Sequence, residues 1–217
     1  MTDENQAAKA SHVYLSFDDG PDPRWTPRIL DMLAQANARA TFFVVGRLAL
    51  KQPALVRRVL SDGHALGNHT FSHRHPWTMA ASAAREQVRA GAAVIADLTG
   101  VAARFFRPPH GRLRRCMIEE AENNGQRLVL WNRSAIDWGP FGSARAIARR
   151  LGATHAGEIV LMHDGGWGIN HSAQLVEVLP AYLATLGRSG LVPALLPASA
   201  AYGDDPALRP SNSSLRE

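Results

Sequence analysis

Short, β-rich apolar runs recur along this chain at roughly 25-residue spacing, each followed by a stretch of helical apolar periodicity. That alternation constrains the fold more than any other feature. "HVYLSF" (His12 to Phe17) leads into the acidic turn "DDGPDP"; Ile29, Leu30, Leu33 and Ala34 then repeat with helical spacing between Thr26 and Ala36. "ATFFVV" (Ala40 to Val45) is a second buried run, which makes the unit β-α-β. The rhythm continues with a helix from Pro53 to about Leu60, a brief strand and turn at "HALGNH", and a longer helix from Ala83 to Leu98. A strand at "ARFFR", a helix near Met117 to Asn123, a strand at "RLVLW" and a helix near Ala144 to Leu151 follow. "EIVLMH", a helix over about Ser172 to Leu186 and a last strand near "GLVPALL" complete the pattern. Such alternation predicts an α/β fold with a parallel sheet, and about seven units let the sheet close into a barrel with its site at the carboxyl ends of the strands.

The 217 residues, 46% of them hydrophobic, suffice for one core. We expect a polar extension over 1–11, a single domain over 12–196, and a flexible tail over 197–217, which is rich in Ser, Pro, Ala and charge. The net charge of +5 comes mostly from arginines scattered through the predicted helices, such as Arg57, Arg58, Arg85, Arg89, Arg149 and Arg150. No dense basic run interleaved with aromatics is present, so nucleic acid is not the expected partner. The single cysteine, Cys116, reads as a small buried side chain. No run of eighteen apolar residues suggests a membrane span, and "MTDENQAAKASH" lacks a secretory pattern, so the expectation is a cytoplasmic monomer.

Three of the nine histidines fall within "GNHTFSHRHP". His69 and His73, four apart, would project from one side of a helical turn about 6 Å apart, close enough to grip one divalent ion, with Asn68 able to cap the turn and Pro76 limiting it. Two histidines hydrogen-bonded at a helix start fit the same spacing. A third ligand would favour the metal, and "SFDDG" offers one: of the adjacent Asp18 and Asp19, one can bind while the other stays within reach of coordinated water. Three more ionisable clusters fall at predicted strand ends: "RPPHG" (Arg107 to Gly111), "AIDW" (Ala135 to Trp138) and "LMHDGG" (Leu161 to Gly166). Each alone could be a turn or a core histidine, but all five on one barrel point to one site.

"SFDDG", "HTFSH", "RPPHG", "IDW" and "LMH", in this order, resemble the five motifs of the polysaccharide deacetylases, carbohydrate esterase family four, over roughly Val13 to Leu196. The resemblance implies a single-domain distorted (β/α)7 barrel with Asp19, His69 and His73 holding a divalent metal, usually zinc, with cobalt or another divalent ion admissible. It implies Asp18 as general base, Arg107 as the donor fork that holds it, His163 as general acid and Asp137 as its carboxylate partner. Substrate contacts would come from Pro109, the backbone N–H of His110, Trp138 and Leu161, the last lining the acetyl pocket. Two positions depart from the pattern: His110 replaces the tyrosine of the third motif, and Ser134 replaces the aspartate that opens the fourth.

The implied activity is removal of N-acetyl groups from GlcNAc-containing oligo- or polysaccharides, of the chitooligosaccharide deacetylase type. Peptidoglycan or another acylated sugar is the competing substrate, disfavoured by the lack of a secretory pattern. A carbohydrate-binding relative that has lost turnover, and an amidohydrolase acting on non-sugar amides, are the readings from other classes. His64 is expected to be structural and His75 to lie in solvent or bond its loop. Trp77 and Trp167 could stack on sugars or fill the core, and Asp164 could orient its loop.

Overall fold

A computed structural model describes residues 11–166 and 168–200. Eight strands, β1 (His12–Asp18), β2 (Ala40–Val44), β3 (Ala65–Asn68), β4 (Phe105–Phe106), β5 (Arg127–Leu128), β6 (Arg133–Ser134), β7 (Ile159–His163) and β8 (Val192–Pro193), all pair in parallel. Seven α-helices alternate with them: α1 (Thr26–Gln35), α2 (Gly46–Lys51), α3 (Pro53–Ser61), α4 (Ala81–Thr99), α5 (Arg115–Asn123), α6 (Ala144–Leu151) and α7 (Ser172–Arg188). The sheet runs β5-β4-β3-β2-β1-β7-β6, with β8 pairing the start of β1. This is the distorted (β/α)7 barrel expected, and its distortion has a location. β5 and β6 end the path without a ladder between them, and the chain itself crosses from one to the other over residues 129–132.

Local chemistry accounts for the elements. β2 is buried at every position, as a strand covered on both faces must be. Proline sits in the first turn of α1 and of α3, where its missing N–H costs nothing. Gly100 ends α4 in the left-handed conformation at φ 71°, and the Ser143 hydroxyl caps α6. The main core joins β1, β2 and β7 to α1, α3 and α7, with Phe17 and Phe42 stacked at 5.0 Å between ring centres. Cys116 is buried, as expected.

Two elements were not foreseen. α2 follows β2 directly, so its apolar positions merge with those of the strand, and β6 is two residues long, too short to show any periodicity. The strands expected at "ARFFR", "RLVLW" and "GLVPALL" form ladders over only two residues each. The His69–His73 segment is a second difference. It is an irregular loop with Thr70 and His73 both at positive φ, 68° and 57°, rather than a helical turn. Asn68 still acts as a cap, its Oδ1 accepting from the Thr70 N–H at 3.0 Å.

The Ala198 carbonyl accepts from Arg127 at 3.0 Å, while residues 201–217 and 1–10 lie outside the described residues. Among the described residues, no helix is long and apolar enough to cross a membrane.

Candidate active site

The carboxyl ends of the strands carry the ionisable residues. Asp18 ends β1, His69 follows β3, Arg107 follows β4, Asp137 lies just beyond β6 and His163 ends β7. Together with the loops after them they enclose one cleft of about 610 Å³, lined by Asp18, Asp19, His69, His73, His110, Trp138, Leu161 and His163. Arg107, Asp137 and Pro109 are buried behind this wall. All eleven residues singled out from the motifs therefore belong to one neighbourhood.

Arg107 organises its base. Its guanidinium is wholly buried and donates to Asp18 Oδ1 at 2.7 Å, to Ser16 Oγ at 2.9 Å, and to the carbonyls of Val129 at 3.1 Å and Leu130 at 3.0 Å. It also lies 4.0 Å above the ring of Phe43. Phe43 occupies that position because β3 has a glycine opposite it: a Cβ at Gly67 would come within 2.4 Å of the ring. Burial lowers the Arg107 pKa, and the Asp18 carboxylate works against that fall.

Asp19, His69 and His73 bring one ligand atom each within 4.8 Å of one another. Asp19 Oδ1 lies 2.9 Å from His73 Nε2 and 3.4 Å from His69 Nε2, while Asp18 Oδ2 is 3.8 Å from His69 Nε2. His69 Nδ1 is 2.7 Å from the Arg107 carbonyl, which can only accept, so Nδ1 carries hydrogen and a neutral ring turns its lone pair toward Asp19. A carboxylate facing two imidazole Nε2 atoms has the make-up of a cation's donor set, and its two nitrogens and one oxygen suit zinc. The electrostatics agree. Burial would raise the Asp19 carboxyl, but hydrogen bonds from His69 and His73 and the charge of His163 hold it well below the usual range. Burial would lower the pKa of His69, yet Asp18 and Asp19 raise it.

A second buried pair of ionisable side chains is His163 with Asp137. Asp137 is fully buried and accepts twice from His163, at 2.8 Å from its ring Nδ1 and at 2.8 Å from its backbone N–H. Burial opposes charge on the imidazole, but the Asp137 carboxylate prevails and pushes its pKa up to about 9. Its loop is braced by Arg150, which donates to the carbonyls of Ala135 and Phe141. Ser134, in place of the motif's aspartate, accepts from the Ile136 N–H at 3.1 Å and so caps the turn that leads to Asp137.

His110 sits at φ 57°, its ring edge-on to His73 at 4.8 Å and stacked on His75 at 5.3 Å. Partial burial beside the cleft, with His73 and His75 adding repulsion, pushes its pKa down to about 4. His75 accepts from the Trp77 N–H, as a loop histidine should, but it also lines the cleft, which the sequence did not indicate. Trp77 donates to the Leu113 carbonyl beneath Arg112 and does not line the cleft; Trp167 lies outside the described residues. His64 is buried, its Nδ1 accepting from Ala40. Asp164, buried and receiving the Thr26 hydroxyl at 2.5 Å, is raised to about 7 by burial and by Asp19 and Asp18.

Asn170 is the residue that motif reasoning missed. It lines the cleft, and its Nδ2 donates to Asp19 Oδ2 at 2.8 Å. Only its place in the loop after "LMH" could have signalled it.

A model of the polysaccharide deacetylase family matches residues 5–129. A peptidoglycan-N-acetylglucosamine deacetylase of Bacillus cereus is 33% identical over 180 residues, 83% of this chain and 65% of that protein. The chain thus spans just under two thirds of that relative. A chitooligosaccharide deacetylase of a Bradyrhizobium species is 36% identical over 154 residues, 70% of each chain. A family 4 carbohydrate esterase from Streptomyces lividans, solved in complex with acetate, matches with a TM-score of 0.79 at 28% identity, covering 88% of this chain and 95% of that one.

Proposed function

The chain belongs to the polysaccharide deacetylase family, and within it we propose a metal-dependent hydrolase that removes N-acetyl groups from GlcNAc-containing oligosaccharides, releasing acetate. The observation that carries the reading is the convergence of two proton-handling pairs, Asp18 with Arg107 and His163 with Asp137, on the cleft that also holds the Asp19, His69 and His73 cluster. Similarity to a chitooligosaccharide deacetylase and to an esterase that binds acetate, the product expected here, supports it.

Asp19, His69 and His73 would hold the ion, and zinc is the ion we infer from two imidazoles and one carboxylate. When bound, it supplies Lewis acidity, lowering the pKa of water and polarising an acyl oxygen. Asp18, with Oδ1 engaged by Arg107, takes the proton of the attacking water at Oδ2. The His110 backbone N–H donates to the carbonyl oxygen as it gains charge; because the main chain is the donor, the loss of the motif's tyrosine leaves this role intact. His163, charged below about pH 9, gives its ring proton to the departing amine. Leu161, buried beside the cleft, receives the acetyl methyl, Pro109 stiffens the turn that carries His110, and Trp138, 42% exposed, offers a face to the sugar ring.

The test is acetate release, with mass spectrometry of products, from chitin oligomers and from peptidoglycan fragments, with added Zn²⁺ and after chelation. Release from chitin oligomers that chelation abolishes supports the reading. Release from peptidoglycan fragments alone moves the substrate, and no release from any N-acetylated glycan overturns the function.

A further inference from the structure

We infer that Asn170 is a positioning residue for the metal site: its amide fixes which oxygen of Asp19 faces the two histidines, and its loop ties that ligand to the His163–Asp137 pair. The inference rests on the proposed metal dependence.

Asn170 lies in the loop between β7 and α7. Its Nδ2 is 2.8 Å from Asp19 Oδ2 and 3.2 Å from the Gly165 carbonyl. Both neighbours are acceptors, so the amide must present its NH₂ to them. With Oδ2 engaged, Oδ1 is the oxygen turned toward His73 at 2.9 Å and His69 at 3.4 Å. That bond opposes rotation of the carboxylate about its own axis and so helps preset the geometry of the ligand set.

The same loop is stitched to the segment that carries Asp137. Asn170 forms an antiparallel bridge with Trp138, and the Gly139 N–H donates to the Ile169 carbonyl at 2.8 Å. The His171 N–H donates to the Asp137 carbonyl at 2.7 Å, and the His171 ring meets the Gly139 carbonyl at 2.6 Å. Two consecutive residues thus hold opposite functions in register: Asn170 the ligand through its side chain, His171 the partner of His163 through its backbone.

Zn²⁺ is titrated against a competing chelator into metal-stripped wild type, Asn170→Leu, Asn170→Ala and His171→Ala, with thermal melts of the metal-free proteins. Leucine keeps the branched four-atom outline of asparagine and lacks its donor. Both Asn170 variants are expected to melt cooperatively near wild type and to bind Zn²⁺ about 10- to 100-fold more weakly, the usual cost of losing a group that orients a ligand. His171→Ala keeps the backbone N–H and the Asn170 amide, so it should bind as wild type does. Wild-type affinity in both Asn170 variants overturns the inference, as does an equal loss in His171→Ala, which would assign the effect to loop order. If neither Asn170 variant melts cooperatively, the amide is structural and the inference fails. A wild type that binds no Zn²⁺ overturns the metal reading itself, and this inference with it.

Discussion

His69 and Arg107 meet at 2.7 Å, the imidazole Nδ1 donating to the arginine's own carbonyl, while the guanidinium of the same residue holds Asp18 at 2.7 Å. One residue therefore orients the proposed ligand through its main chain and the proposed base through its side chain. Those two jobs are separable by mutation. Arg107→Lys preserves the carbonyl but cannot make the four-bond fork, and leaves Asp18 with a poorer partner in a buried setting. We expect a loss of about 3 kcal/mol in chemical denaturation, a large fall in turnover, and Zn²⁺ affinity close to wild type by titration.

Asp18→Asn should separate proton transfer from metal binding in the same way. The amide keeps the shape of the side chain and cannot accept the proton of water, so acetate release should fall by about 10²- to 10⁴-fold. Metal content by elemental analysis should be unchanged. His69→Ala, in contrast, should lose the metal and the activity together. An active Asp18→Asn would mean that another group is the base.

The imidazole of His163 gives a pH prediction whose sign follows from its partner. Its pKa is raised from 6.5 to about 9, so the protonated ring stabilises the folded state. That contribution is fully present below pH 6.5 and is lost as pH rises through about 9. NMR titration of the metal-free protein should show this ring still charged at pH 8. In Asp137→Asn, the midpoint should fall, because the carboxylate is the main force holding the proton.

Gly165 is a fourth test, of close approach. A Cβ there would lie 2.4 Å from the Asp19 Cβ and 2.4 Å from its carbonyl oxygen, and backbone cannot move aside as a flexible side chain can. Gly165→Ala should cost about 1–3 kcal/mol in denaturation and weaken Zn²⁺ binding. Gly168→Ala in the same loop meets nothing within 4 Å, so its stability should stay within about 0.5 kcal/mol of wild type.

The sheet and most helices were legible because period and punctuation are local signals: β2 and α4 appear in the chain almost as they appear in the fold. The proposed ligand pair was legible by residue type but not by conformation. His69 and His73 meet through two left-handed residues, Thr70 and His73, which no periodicity reveals, and not through the helical turn that their spacing suggests. Asn170 was invisible for another reason. Its meaning depends on a contact with Asp19 from the far end of the chain, and an asparagine in a glycine-rich loop reads as turn chemistry. His75 joined the cleft for a similar reason, since its stacking on His110 depends on a loop from another strand.

Because Arg107 also donates to Val129 and Leu130 in the segment that crosses the open edge between β5 and β6, the residue that holds Asp18, the proposed base, is a clasp on the barrel's seam. Turnover then doubles as a reporter of folding: a chain whose seam has not closed has no organised base, so a variant library screened for acetate release is screened for barrel closure in the same assay.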